Sequence, residues 1–302
     1  MCSGCKRARP ASDFRGTNTT CIACLAKRNL TPVKLKRLKA NATSRSIEIA
    51  LADDQLVAFF DRECAYCGHV ATEGDRNGVD RVDNAKGYVP GNCVTCCGWC
   101  NKMKYALDGR TFVERACHVS AHHGGSGLKS QACWSEPVHP LTMKRCAAQA
   151  AARGIAFELT PDQFKALAGP KLPCHYCGRL PTHKNHGIDR LDSGAGYVAD
   201  NCVTACGDCN IAKCTQTAQE FVERCKAIAA RAATILDTMP PDMPRNLNMR
   251  KKRVQPVRDK CARCQTVPAP RNWRRHPRTK DGWYCRNCYL RIKRALSVEP
   301  SN

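Results

Sequence analysis

Aromatic side chains are scarce: 4 Trp, 7 Tyr and 7 Phe in 302 residues. The chain is long enough for two domains of ~150 residues, yet it lacks the large apolar groups that would fill two cores. Something besides apolar burial must hold it together. Acidic residues are few as well, 26 against 49 Lys and Arg, for a net charge of +23. No apolar run approaches the ~18 to 20 residues of a membrane helix, and the opening Met-Cys-Ser-Gly-Cys-Lys-Arg holds no signal-peptide segment. The sequence therefore reads as soluble and intracellular, with no membrane partner.

What is abundant is cysteine, 24 residues. A reducing compartment disfavours stable disulfides, so cysteines spaced two residues apart read as thiolate metal ligands. Nine Cys-x-x-Cys pairs occur, and all but Cys93/Cys96 combine by neighbourhood into four quartets. These are Cys2, Cys5, Cys21 and Cys24; Cys64, Cys67, Cys97 and Cys100; Cys174, Cys177, Cys206 and Cys209; and Cys261, Cys264, Cys285 and Cys288. Such a pair presents two sulfurs to one ion and a second pair completes a tetrahedral shell, so four structural Zn²⁺ ions are expected. The remaining Cys93, Cys96, Cys117, Cys133, Cys146, Cys202, Cys214 and Cys225 read as small apolar side chains, with Cys93 and Cys202 on buried helix positions.

The charge is segregated. Residues 1–45 carry a net +10 and residues 245–302 a net +14, while 46–244 are balanced. Basic blocks of this size point to a polyanion partner, a nucleic acid, with DNA ahead of RNA. The candidate contacts are Lys34, Lys36, Arg37 and Lys39, then Arg250, Lys251, Lys252 and Arg253, then Arg274, Arg275, Arg291, Lys293 and Arg294. The Arg250–Arg253 cluster also reads as a nuclear-import signal in a host with a nucleus.

The two middle quartets lie in a duplication. CAYCG followed by GVDRVDNAKGYVPGNCVTCCGWCNKMK is answered by CHYCG followed by GIDRLDSGAGYVADNCVTACGDCNIAK. Upstream, Ile47, Leu51 and Gln55 match Ile155, Leu159 and Gln163; downstream, Phe-Val-Glu-Arg recurs at Phe112 and Phe221. Locally, Val79–Val82 reads as a strand, Asp83–Gly87 as a turn and Tyr88-Val89 as the return strand. Asn92 is then expected to cap a helix from Cys93 to about Lys104. His183 and His186 read as exposed loop histidines.

This order resembles the HNH, or ββα-metal, nuclease superfamily, particularly members with two zinc-binding Cys-x-x-Cys pairs, as in endonuclease VII-like proteins. The resemblance implies that Asp80 and Asn101, and Asp189 and Asn210, hold a catalytic divalent ion such as Mg²⁺, with Asn92 and Asn201 bracing the hairpins. It fails where active members place the water-activating histidine, because Arg81 and Arg190 stand there. A guanidinium stays protonated and cannot act as a simple general base. Each arginine is expected either to clamp a phosphate or to pair with Asp83 or Asp192. At the C-terminus, the last quartet with Trp273-Arg-Arg resembles a GATA-type zinc finger, departing from it at Tyr289. The N-terminal quartet resembles the small zinc knuckles that precede HNH modules.

The expected architecture is small α+β zinc domains, two tandem ββα-metal repeats flanked by N- and C-terminal zinc ribbons. It runs as an N-terminal knuckle at 1–30, a basic linker at 31–45, repeats at 46–117 and 143–236, a flexible link at 118–142, a Pro-rich and basic linker at 237–258, and a finger at 259–295. Nucleic-acid binding with weak or lost cleavage, an active Mg²⁺-dependent endonuclease, and a transcriptional regulator or structural part of a nucleoprotein assembly all fit the sequence.

Overall fold

A computed structural model describes residues 8, 10, 12, 30–72, 75–135, 142–169, 171–182, 185–240, 242–249, 264, 273–274, 284–285 and 287–290. The chain forms two units, Met1–Arg250 and Lys251–Asn302.

The first unit is small α+β. Helix α1 (Leu30–Thr43) and α2 (Asp53–Ala58) precede a hairpin of β1 (Gly78–Arg81) and β2 (Cys93–Cys96), then α3 (Gly98–Lys104) and α4 (Gly109–His122). The order returns as α5 (Met143–Ala151), α6 (Pro161–Leu167), β3 (Gly187–Arg190), β4 (Cys202–Ala205), α7 (Gly207–Lys213) and α8 (Ala218–Ala230), with α9 (Ala232–Asp237) added. Both hairpins are antiparallel and in the same register, Asp80 opposite Val94 and Asp189 opposite Val203.

The return strand is therefore Cys93–Cys96, where a helix was expected, and Tyr88 instead makes a parallel bridge to Ile49. Val94 and Thr95 are β-branched and suit a pleated strand, and Asn92 caps no helix. Its amide clips the turn: Oδ1 accepts from the Asp83 N–H at 2.9 Å, and Nδ2 donates to the carbonyls of Asp83 and Gly87 at 3.0 and 2.9 Å. Asn201 makes the same three bonds to Asp192 and Gly196. Helix α3 starts later, capped by Cys97, whose sulfur accepts from the Cys100 N–H at 3.4 Å. Cys93 and Cys202 accordingly sit on strands.

Four-residue strands cannot stand alone. Their support is one core that gathers Cys64, Cys97 and Cys100 of the first copy, Cys174, Cys206 and Cys209 of the second, and the facing sides of α4 and α8, with Phe112, Val113, Phe221 and Ile228 among them. The copies are thus joined through their last helices. The knuckle glycines Gly68 and Gly178, at φ +74° and +68°, are fitted to this seam, because a Cβ at either would crowd Arg231 or His122 of the other copy.

Of the segment expected as a flexible link, the described part at 118–135 packs against the fold. His118 is inside α4 and buried; its Nε2 lies 3.0 Å from the Cys177 carbonyl, and its Nδ1 accepts from the Ser130 N–H and the Trp134 indole N–H, both at 3.1 Å. Cys133 and Trp134 are buried with it. The start of the second linker packs too: Met239, Met243 and Met249 join the core, and Arg245 pairs with Glu114. In the second unit, Trp273–Arg274 (β5) pairs with Tyr284–Cys285 (β6), and Cys288 lies in a following helical turn. The first quartet and Cys261 lie outside the described residues, as do Arg250, Lys251, Lys252, Arg253, Arg275, Arg291, Lys293 and Arg294.

A shared core predicts shared unfolding. Ile228→Ala, at a fully buried seam position, should cost about 2–5 kcal/mol. In chemical denaturation it should shift the unfolding of both copies as one transition; two separable transitions would mean the copies stand independently.

Candidate metal centres and the carboxylates beside them

Each middle quartet brings four sulfurs together, all within 4.8 Å of one another. Each is assembled from a knuckle loop before the hairpin and the entry turn of the helix after it. The Cys67 and Cys97 sulfurs are 3.8 Å apart, and those of Cys177 and Cys206 3.9 Å. Tetrahedral zinc with Zn–S bonds of about 2.3 Å requires an S–S edge of about 3.8 Å, so the residues fit the ion. Backbone N–H groups point at the sulfurs as they would at thiolates: Cys206 donates to Cys174 at 3.3 Å and Cys209 to Cys206 at 3.4 Å. In the first quartet, hydrogen bonding from Cys100 above all draws the Cys64 thiol down to about 3 and Cys67 and Cys97 down to about 6. Burial does the opposite to Cys93, Cys133 and Cys202, pushing each up to about 11 and keeping them neutral.

Four thiolates around Zn²⁺ leave net negative charge in a core, and arginines answer it. Arg224 on α8 reaches across the seam and donates to the Cys67 and Cys97 sulfurs of the first copy, at 3.7 and 3.8 Å. Its counterpart Arg115 on α4 crosses the other way. It pairs with Asp208 at 3.3 Å, between Cys206 and Cys209, and stacks over Trp134. Arg179 sits against the Cys206 and Cys177 sulfurs, which hold its guanidinium above its ordinary value despite burial.

Beside each quartet is the acid that the resemblance makes a ligand for a catalytic ion. Asp80 is buried, accepts from the Tyr66 hydroxyl at 2.9 Å, and lies 3.2 Å from the ammonium of Lys104. That lysine, fully buried, also donates to the Arg81 carbonyl at 2.9 Å and to Asn84 Oδ1 at 3.4 Å. The second copy repeats the arrangement: Tyr176 donates to Asp189 at 2.7 Å, and Lys213, fully buried, lies 3.4 Å from it. Burial pushes both tyrosine hydroxyls up, so they remain donors. It also raises Asp189, against the opposing pull of Lys213.

These carboxylates do not fit Mg²⁺. The hard cation would have to share a buried carboxylate with an ammonium already in contact, and burying like charges together is costly. The expected partners do not converge either: Asn101 is exposed, and Asn210 turns its amide to the Ile188 carbonyl at 3.1 Å.

Arg81 makes neither the expected ion pair with Asp83 nor an exposed phosphate clamp. It is buried, donates to the Asn84 and Lys86 carbonyls at 3.0 and 2.6 Å, and stacks over Tyr88. Arg190 likewise donates to the Ala195 carbonyl and stacks over Tyr197. His186, expected on the surface, is buried with Nε2 2.8 Å from the Arg179 carbonyl; His183 lies outside the described residues. On α1, Lys34 is held by the Asn77 carbonyl at 2.8 Å, while Lys36, Arg37 and Lys39 are exposed, Lys39 paired with Asp53 at 2.7 Å. Sequence reasoning missed Lys104, Lys213, Tyr66, Tyr176 and Arg224. The signal was present: the duplication keeps Cys-x-Tyr-Cys, Cys-Asn-x-x-Lys and Phe-Val-Glu-Arg in both copies.

Two outcomes test this geometry. Arg224→Ala should speed loss of one zinc to a chelator by about tenfold, in line with a charge-assisted hydrogen bond of ~1.5 kcal/mol, and leave the other unchanged. Lys104→Met should destabilise by about 3–5 kcal/mol, because it strands a buried carboxylate, while adding Asp80→Asn should recover much of that loss in the double variant.

No protein-family model matches the chain. An uncharacterized protein of Acanthamoeba polyphaga mimivirus is 29% identical over 197 residues, 65% of this chain, and the chain spans 37% of that relative's length. Among solved structures, the rare-cutting HNH restriction endonuclease PacI is 24% identical, over 35% of this chain and 81% of its own, with a TM-score of 0.21.

Proposed function

We propose that this chain is a zinc-stabilised nucleic-acid-binding protein built on tandem HNH-like units that hold their target without cutting it. The observation that carries the reading is the buried lysine on the would-be metal carboxylate in both copies, Lys104 on Asp80 and Lys213 on Asp189. A site that supplies its own cation has no room for a divalent ion, and hydrolysis by this chemistry needs that ion to polarise the phosphate and activate water. The arginines at the histidine position agree with this, since Arg81 and Arg190 are spent on loop carbonyls and offer no base.

The partner is read from charge. The segments 1–45 and 245–302 hold all of the +23 excess, as expected of contacts to a phosphate backbone. DNA is the favoured target, and the outer quartets, a knuckle and a GATA-like finger, bring the zinc total to four.

The full chain should bind duplex DNA with an affinity that falls steeply with salt, and deleting Lys251–Asn302 should flatten that slope by about 0.9 per phosphate contact removed. Plasmid incubated with Mg²⁺ or Mn²⁺ should stay uncut. Nicking by the wild type that disappears in Asp80→Asn or Asp189→Asn would restore the active-endonuclease reading instead.

A further inference from the structure

The duplication provides an internal comparison, and one place where the copies differ is a polar cleft of about 570 Å³ in the first copy. It lies between the end of α1 and the turn of the β1–β2 hairpin. Arg45, Ser46 and Glu48 form one wall and Asn84 and Lys86 the other, with Arg81 below. Three cationic side chains thus face one carboxylate. Arg45 and Lys86 are exposed, and neither side chain has a hydrogen-bond or ion-pair partner among the described residues.

Both walls are held in place. Ser46 sits at φ +51°, a left-handed conformation that the second copy gives to Gly154, at φ +67°, and it turns the chain so that Arg45 comes onto the cleft. On the other side, Arg81 donates to the Asn84 and Lys86 carbonyls and fixes the backbone that presents the Lys86 side chain. The buried guanidinium therefore supplies positive field from below and the two exposed cations supply contact.

The second copy has lost this constellation. Ala195 stands at the place of Lys86 and Ala156 at that of Glu48. Arg153, the counterpart of Arg45, is turned away to the Tyr197 hydroxyl at 3.1 Å and the Gln149 carbonyl at 3.0 Å. A merely solvated pair of cations would give no reason for one copy to keep both free over a cleft while the other discards one and ties down the other.

We infer that this cleft is a phosphate-binding site for a nucleic-acid backbone, with Arg45 and Lys86 gripping the phosphodiester oxygens, and that the duplicated units are unequal, the first engaging the strand and the second not. The inference rests on the nucleic-acid-binding reading and extends that binding from Arg45, at the end of the basic N-terminal segment, to Lys86 in the neutral middle of the chain. The β1–β2 turn, which the buried Asp80–Lys104 pair leaves without hydrolytic work, becomes a positioning contact. Phosphate contacts of this kind fix register on the duplex and carry no sequence information.

The test uses the full chain and a short duplex of arbitrary sequence, with affinity measured across a salt series. Arg45→Ala and Lys86→Ala should each lower the slope of log affinity against log salt by about 0.9, and the double variant by about twice that, with zinc content and circular dichroism unchanged. Arg153→Ala in the second copy should leave the slope as it is, and Lys86→Arg should retain it. A wild-type slope that survives the double variant, or falls equally with Arg153→Ala, overturns the cleft and leaves binding by the chain ends standing. A wild type with no salt-dependent binding overturns both.

Discussion

The constraint on which the first unit rests is the burial of two four-cysteine groups in one small core. Thiolates are poor guests in an apolar interior, and four together repel unless a metal and donors surround them. The neighbourhood is arranged around that difficulty. Knuckle and helix N–H groups aim at the sulfurs, α4 and α8 pack over both groups, and Arg224 and Arg179 bring positive charge to their edges. Hairpins of four-residue strands persist because each lies between a knuckle and a helix entry whose sulfurs converge on one point. An ion held by these sulfurs would stand in for the aromatic bulk that the sequence does not have.

The same economy of charge governs the carboxylates. Asp80 and Asp189 are buried acids, and a buried acid needs a proton, a metal or a cationic side chain. Each has a lysine with no exposed surface and a tyrosine hydroxyl. Because the arrangement appears twice with the same partners, it is a property of the duplicated unit and not a local accident of packing. It also fixes the end of α3 and α7 against the hairpin: Lys104 reaches the Arg81 carbonyl and Lys213 the Ser193 hydroxyl in the hairpin turn.

Much of the local chemistry was legible in the sequence. Cys-x-x-Cys spacing is dictated by how a turn presents two sulfurs, so the two middle quartets could be read from residue numbers alone. The β1 strand followed from Val79 and Val82. The β2 strand did not, because Asn92 is as good a cap as it is a turn clip, and only the register that sets Asp80 opposite Val94 decides between them. The expected pairing of Arg81 with Asp83, two residues on, fails because its partners in space are backbone carbonyls, which carry no mark in a sequence. Contacts between the copies were beyond reach for a related reason. Nothing in Phe-Val-Glu-Arg says that Arg115 and Arg224 cross the seam in opposite directions, one to a carboxylate and one to sulfur.

That crossing has a consequence for the order in which the protein is made. Arg224 lies 127 residues after Cys97, so at roughly 5–20 residues per second of synthesis the first sulfur group waits roughly 6–25 s for its guanidinium. The second group has no such wait, since Arg179, against its sulfurs, and Arg115, the partner of Asp208, both leave the ribosome before Cys206. Two units with nearly the same plan are therefore born into different circumstances: the sulfurs of the first stand without their cross-seam guanidinium through an interval of translation, while the second closes onto a partner already in place.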